Sequence, residues 1–290
     1  MKPAPFDFVA PRTVEEACRI LSEAGGGATV MAGGQTLMPL LNLRMSQPFI
    51  VLDAKRIEGL AGVSRLDDGS LRVGATTTQR QALESDLLAQ QLPVLVQALR
   101  HVGHHQTRNR GTVGGSVALG EPAAEMPATA VALGATIEIA SVRGTRRVSA
   151  REFYLGPYMT VLEPDELVTG ILYPAWASGH VPLFRELAQR PGDFALVGLV
   201  GALELDGGVI SRAGLAWFGM GPTPIHAAQA EAALLGKPVS ALDLTALADL
   251  ALAPCAPFDD HHASADYRRT VGKRLFQRCL REALQLKDAA

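Results

Sequence analysis

Thr29-Val30-Met31-Ala32-Gly33-Gly34-Gln35-Thr36-Leu37 is the stretch from which the fold can be read. A short β-prone run enters a double-glycine turn, and the residues from Leu37 to Met45 then follow helical spacing. Adjacent glycines let the backbone approach a ligand closely and leave several N–H groups pointing one way. A helix N-terminus directly behind them adds partial positive charge. Such a turn suits a pyrophosphate or another anion. It is neither a GxGxxG fingerprint nor a P-loop, because only Gly33 and Gly34 occur and no GK[ST] follows. Taken alone, a tight strand-to-helix turn without a ligand explains the same residues.

Working outward, Phe6–Val9 alternates like a short strand, and Thr13-Val14-Glu15-Glu16 is a capping box opening a helix that Gly25-Gly26-Gly27 ends. Phe49–Asp53 is continuously apolar up to its aspartate and reads as a buried strand. The first fifty residues are therefore a β-α-β-α-β unit with parallel strands. From Gly62 the pattern changes. Strand-like runs flank Asp67-Asp68-Gly69 as a hairpin, and Thr78–Gln81 is a second capping box. A further helix starts at Pro93 and stops at Gly103.

The segment from His104 to Val117 reads as a loop containing a second double glycine, Thr112-Val113-Gly114-Gly115-Ser116. It repeats the logic of the first turn, with donors exposed beside glycines. Two such turns about eighty residues apart can face each other across one elongated ligand, which fits a dinucleotide. His104-His105 has no neighbouring carboxylate and makes a weak metal site. Arg108 and Arg110 read as satisfying loop carbonyls. Glu125 opens the next helix. An acid there complements the helix dipole, and it can equally accept hydrogen bonds from ribose hydroxyls.

Strands are expected at Thr136–Ala140, Arg146–Ser149, Leu167–Tyr173, Leu183–Leu187, Ala195–Leu205 and Val209–Phe218. Helices are expected at Ala227–Leu235, Ala241–Leu252 and Tyr267–Leu286. The tail is a small α+β domain with one sheet face in need of a partner surface. At 290 residues with 48% hydrophobic and 19% charged positions, the chain has ample core, and a net charge of −2 argues against nucleic acid. Cys18, Cys255 and Cys279 are too few and too scattered for an iron–sulfur cluster or a metal motif. No run is long enough for a membrane span, no signal peptide is evident, and the expected location is cytoplasmic.

With AGGQT, TVGGS and Arg190-Pro191-Gly192-Asp193-Phe194-Ala195 in this order, the chain resembles a known family over nearly all its length. The family is the FAD-binding medium subunits of molybdenum hydroxylases, the carbon monoxide, nicotine and xanthine dehydrogenase group. The resemblance implies an α+β chain: a two-subdomain FAD-binding domain, made of the small parallel unit (1–56) and a larger mixed or antiparallel sheet with helices (57–175), then an α+β C-terminal domain (176–290). It implies FAD bound between the first two. Ala32, Gly33, Gly34, Gln35 and Thr36 would hold the pyrophosphate, and Thr112, Val113, Gly114, Gly115 and Ser116 would line the other side. Glu125 matches the ribose-binding acid, usually Asp. Val102 and Val168 fall where the family packs apolar groups against the flavin, Arg185 falls where relatives often carry lysine, and Phe194 falls at a ring-stacking position.

The same resemblance places a molybdopterin cofactor on a large partner subunit and two [2Fe–2S] clusters on a small one. The assembly would be a heterotrimer, itself open to dimerisation. Electrons would pass through the clusters to FAD and on to an external acceptor. No side chain here need act as acid, base or nucleophile, and no metal ligand set is expected. Two other readings stay open, a self-sufficient flavin-dependent oxidoreductase and a flavin-free scaffold subunit.

Overall fold

A computed structural model of the chain describes residues 2–286. The first unit contains β1 (Asp7–Val9), α1 (Val14–Glu23), β2 (Ala28–Met31), α2 (Leu37–Asn42) and β3 (Ile50–Asp53). Its three strands lie in the order β1-β3-β2, with β3 parallel to both neighbours. The Thr13 hydroxyl accepts from the Glu16 amide at 3.1 Å, as a capping box requires. Glu16 instead reaches one residue further back, to the amide of Arg12 at 2.8 Å. Helix α2 is shorter than its spacing suggested and ends at Asn42. In β3 only Val51 and Leu52 are fully buried, and Phe49 just before it is exposed.

The second unit runs β4 (Val63–Arg65), β5 (Leu71–Gly74), α3 (Gln79–Leu83), α4 (Asp86–Gln91), α5 (Pro93–His101), α6 (His105–Arg110), α7 (Val113–Leu119), α8 (Glu125–Ala132), β6 (Thr136–Ser141), β7 (Gly144–Ser149), α9 (Ala150–Phe153), β8 (Tyr154–Gly156), β9 (Met159–Thr160) and β10 (Leu167–Tyr173). Five of its strands form an antiparallel sheet in the order β4-β5-β10-β6-β7, and β8 and β9 form a separate hairpin. The expected loop 104–117 is largely two short helices, α6 and α7. Thr112 between them caps α7 by accepting from Gly115 N at 2.9 Å.

The third unit is β11 (Val181–Ala188), β12 (Ala195–Asp206), β13 (Val209–Phe218), β14 (Ile225–His226), α10 (Ala228–Leu234), α11 (Leu244–Leu252) and α12 (Ala265–Ala283). The four strands are antiparallel in chain order. Successive strand side chains point to opposite faces, and here both faces are buried. Val197, Leu199, Leu203, Leu215 and Trp217 join the core under α10–α12. Val200, Ala202, Ala216 and Phe218 join the core that contains α5 and α8. The partner surface that the tail needed is thus the preceding unit. Helix α8 is buried on every side, which explains why Met126–Ala132 is apolar apart from Thr129, whose hydroxyl donates to the Glu125 carbonyl.

Arg268 of α12 fastens this unit internally. It is buried, donates through one nitrogen to the carbonyls of Leu196 and Gly219, and pairs with Asp260 at 2.6 Å. Arg268→Met would leave two buried carbonyls and a carboxylate short of a partner. We expect it to lower unfolding free energy by about 3 kcal/mol. The measurement is the urea midpoint at unchanged slope, and an unshifted midpoint would show that the network contributes little.

Candidate functional site

The turn after β2 meets the junction between α6 and α7 edge to edge. Gly33 sits so close that a Cβ there would lie 2.4 Å from the Arg110 carbonyl oxygen and 2.6 Å from Gly111 Cα. Gly34 adopts φ +70°, the left-handed region that glycine enters without penalty. Its carbonyl accepts from Met38 N, the first bond of the helix. Among the described residues, the amides of Gly33, Gly34, Gln35 and Thr36 donate to no protein acceptor. They form a cradle of free donors at a helix start, the arrangement an anion requires.

The second double glycine is built differently from the expectation. Residues 111–114 run alongside 75–79: Gln79 N donates to Gly111 O, Val113 N to Thr77 O and Gly114 N to Ala75 O. With Gly115 N taken by the Thr112 hydroxyl and Ser116 N by the Thr112 carbonyl, four of this turn's five amides, 112–116, are spent on protein acceptors. Its glycines serve close packing. A Cβ on Gly114 would lie 2.5 Å from Ala75 O, and one on Gly115 would face the Ala32 methyl at 3.5 Å. The run of consecutive free amides therefore belongs to the first turn.

Between the two turns lies a cleft of about 600 Å³. It brings together Ala32, Gly33, Gly34, Gln35 and Thr36 from the first turn, Val102 after α5, Thr112, Gly115 and Ser116 at α7, Glu125 at the start of α8, and Phe194. Val113 and Gly114 point away from it into the core and onto Ala75. Val168 is absent from the wall and is packed in the core beneath the antiparallel sheet. Arg185 is not brought to the cleft either. Its side chain leaves β11 on the opposite face and pairs with Glu282 of α12.

The wall also includes residues that spacing did not flag, among them Thr29, Gln79, Gly103, Glu121, Gly192 and Asp193. The Gly192-Asp193 pair was readable, since it sits inside the stretch already singled out. Glu121 lacked any such signal. It is buried, accepts from Ala123 N at 3.0 Å and from the Tyr158 hydroxyl, and so ties the β8–β9 hairpin to the loop that presents Glu125. Arg108 satisfies carbonyls as expected, donating to Val102 O at 2.8 Å and Gly103 O at 3.0 Å. It thereby fixes the turn that carries Val102 into the cleft.

Burial pushes the Glu125 carboxyl up to about 7, against the opposing pull of its own amide and the Arg108 charge. Phe194 is 62% exposed although it lines a cleft, which leaves a ring face open to a planar group. Free amides at one end, a buried acid along one wall and an open aromatic ring fit a dinucleotide that pairs a diphosphate with a flat ring system.

Comparison with known proteins agrees. The family model described as the FAD binding domain in molybdopterin dehydrogenase matches residues 4–176, and the CO dehydrogenase flavoprotein C-terminal domain matches 183–283. The chain belongs to the FAD-binding medium subunits of the molybdenum hydroxylases. It is 37% identical to the 6-hydroxypseudooxynicotine dehydrogenase complex subunit alpha of Paenarthrobacter nicotinovorans, covering 98% of this chain and 96% of that one. It is 34% identical to the carbon monoxide dehydrogenase medium chain of Hydrogenophaga pseudoflava, covering 98% of each. Among solved structures, carbon monoxide dehydrogenase from the same organism superimposes with a TM-score of 0.94 at 35% identity, covering 98% of this chain and 99% of that one. Quinoline 2-oxidoreductase from Pseudomonas putida 86 gives 0.91 at 35% identity, again covering 98% and 99%.

This medium subunit depends on the contact at Gly33. Gly33→Ala drives a methyl into a backbone carbonyl that cannot rotate away, and we expect a destabilisation of about 1–3 kcal/mol. Gly34→Ala meets only flexible methionine side chains and should lose about 1–2 kcal/mol through its positive φ alone. Amide exchange separates the two. Faster exchange across 107–114 is expected for the first variant and not for the second.

Proposed function

We propose that the cleft holds FAD with its diphosphate on the Gly33–Thr36 amides, Glu125 against the ribose and Phe194 beside the ring. On this reading Ala32 and Gly115 close the pocket around the diphosphate, Thr112 and Ser116 face it from α7, and Val102 supplies an apolar wall. The free donor cradle is the observation that carries the placement, because four consecutive amides without a protein acceptor belong to residues that line the cleft. FAD supplies the electron-transfer chemistry when bound. The chain's own residues bind it, orient it and exclude water.

The wider role follows from the family. The chain is the FAD-carrying electron-transfer part of a molybdopterin-dependent oxidoreductase complex. Electrons would enter from [2Fe–2S] clusters on a small partner and leave to an external acceptor, while a large partner holds the molybdopterin and the substrate. All three cysteines here are buried and unpaired, so this chain offers no thiolate set for a cluster. None of the helices among the described residues is long and apolar enough to cross a membrane. We place the complex in the cytoplasm, and we divide the chain at about 56 and 175 into the two FAD-binding subdomains and the C-terminal domain.

The test is to express the full chain, record its visible spectrum and chromatograph any cofactor released on denaturation. We expect near-stoichiometric FAD. Gly34→Asp, which places a carboxylate among the four amides, should reduce occupancy at least tenfold while leaving the far-ultraviolet circular dichroism unchanged. Folded chain that stays colourless and refuses added FAD would overturn the placement.

A further inference from the structure

One buried polar side chain in the cleft wall is left without a partner. Gln79 opens α3 directly after its Thr78 cap and lines the cleft, with only 4% of the residue exposed. Its backbone is fixed from the α6–α7 junction: Gln79 N donates to Gly111 O at 2.8 Å, and Thr78 and Thr112 form an antiparallel bridge. The side-chain amide has no such anchor. Oε1 is buried with no donor to it, and among the described residues Nε2 has no acceptor. A buried amide without a partner is costly, and folded proteins keep few of them.

Gly111 shows that room has been made for this amide. Its φ of −57° is open to any residue, so the backbone does not require glycine there. Space does. A Cβ on Gly111 would lie 2.8 Å from Gln79 Oε1 and 3.0 Å from the Thr107 carbonyl oxygen. The other side of Gly111 is the surface that Gly33 touches.

The contacts along the wall set the order of its parts. From the first turn, Gly33 leads to Gly111, and Gly111 to the Gln79 amide and Thr107. Thr107 packs on Gly103, where a Cβ would lie 3.1 Å from its own. Gly192, two residues before Phe194, sits against the Gly103 carbonyl and the His104 ring. Gln79 therefore stands between the cradle of free amides and the exposed aromatic ring. In FAD the segment between the diphosphate and the ring system is the ribityl chain, which carries hydroxyls.

Resting on the placement of FAD in the cleft, we propose that Gln79 is a binding residue for the ribityl chain, its side-chain amide hydrogen-bonding a ribityl hydroxyl. A hydroxyl both donates and accepts. The terminal torsion of glutamine is broad and roughly two-fold, so the amide can offer either Oε1 or Nε2. An ionised phosphate can only accept and would leave the oxygen unmet. The amide thus burdens the fold by itself and is satisfied by the ligand, so removing it should relieve the first and weaken the second.

The experiment uses the full chain freed of flavin and follows binding by quenching of flavin fluorescence. Two ligands are compared, FAD and an FAD analogue with an unsubstituted pentyl chain in place of the ribityl chain. Gln79→Met keeps the length of the side chain and offers no amide. We expect its dissociation constant for FAD to rise about tenfold, with the flavin-free thermal midpoint unchanged or higher. The unaltered chain should bind the analogue at least about tenfold more weakly than FAD. Gln79→Met should bind the analogue as well as the unaltered chain does, because both changes remove the same contact. Equal binding of the two ligands by the unaltered chain, or a Gln79→Met loss that is absent or is the same for both ligands, would overturn the proposal. So would a flavin-free Gln79→Met that melts earlier or fails to fold, since the amide would then serve the fold. Failure of the unaltered chain to bind FAD would overturn the cleft placement and this inference with it.

Discussion

The close approach of two backbones at Gly33 and Arg110–Gly111 is the constraint on which the site depends. Only an α-carbon without a side chain lets the first turn touch the α6–α7 junction. This contact brings the parallel β-α-β unit against the antiparallel one, so the cleft exists because two units with different sheet topologies meet at a glycine. Every neighbouring feature then takes a role. Gly34 turns the chain through a positive φ, Thr112 caps α7 across the gap, and Arg108 clamps the Val102–Gly103 turn into the wall.

The electrostatics of the cleft are lopsided. One end presents unpaired amides at the start of a helix. The opposite wall presents carboxyls, with Glu121 accepting hydrogen bonds from Ala123 N and the Tyr158 hydroxyl and Glu125 buried at the start of α8. Such a gradient orients a ligand that is anionic at one point and rich in hydroxyls at another, since a reversed pose would bring phosphate against carboxylate. Arg185 lies outside this wall, its guanidinium paired with Glu282 of α12.

Much of this was legible in the residues. The parallel unit announced itself through alternating capping and glycine signals, and the strands of the third unit through long β-prone runs. What could not be read has physical causes. Helix α6 (His105–Arg110) has no apolar residue and α7 carries two adjacent glycines with only Val113 and Val117 at helical spacing, so tertiary contacts rather than propensity hold them helical. The β8–β9 hairpin is too short to show alternation. At Arg185 and Glu186 the strand was evident, but its facing was not. A shift of one residue exchanges which side chain meets the cleft side and which meets α12. Double glycines look alike in sequence whether they leave their donors free, as at Gly33-Gly34, or spend them on the protein, as Gly114 does on Ala75 O and Gly115 on the Thr112 hydroxyl.

The complete burial of α8 has a consequence for the order of events during synthesis. Helix α8 emerges well before β12 and β13, the strands that cover one of its sides. Until those strands arrive, the nascent chain carries an oily flank with no cover, bordered by Ala128, Val131 and the Met126 thioether. Long-range strand pairing is slow to form, so this flank stays open at least for the time needed to translate residues 133–218. The interval is a natural window for chaperone engagement, and it makes the final unit a seal on the first two as well as an appendage to them.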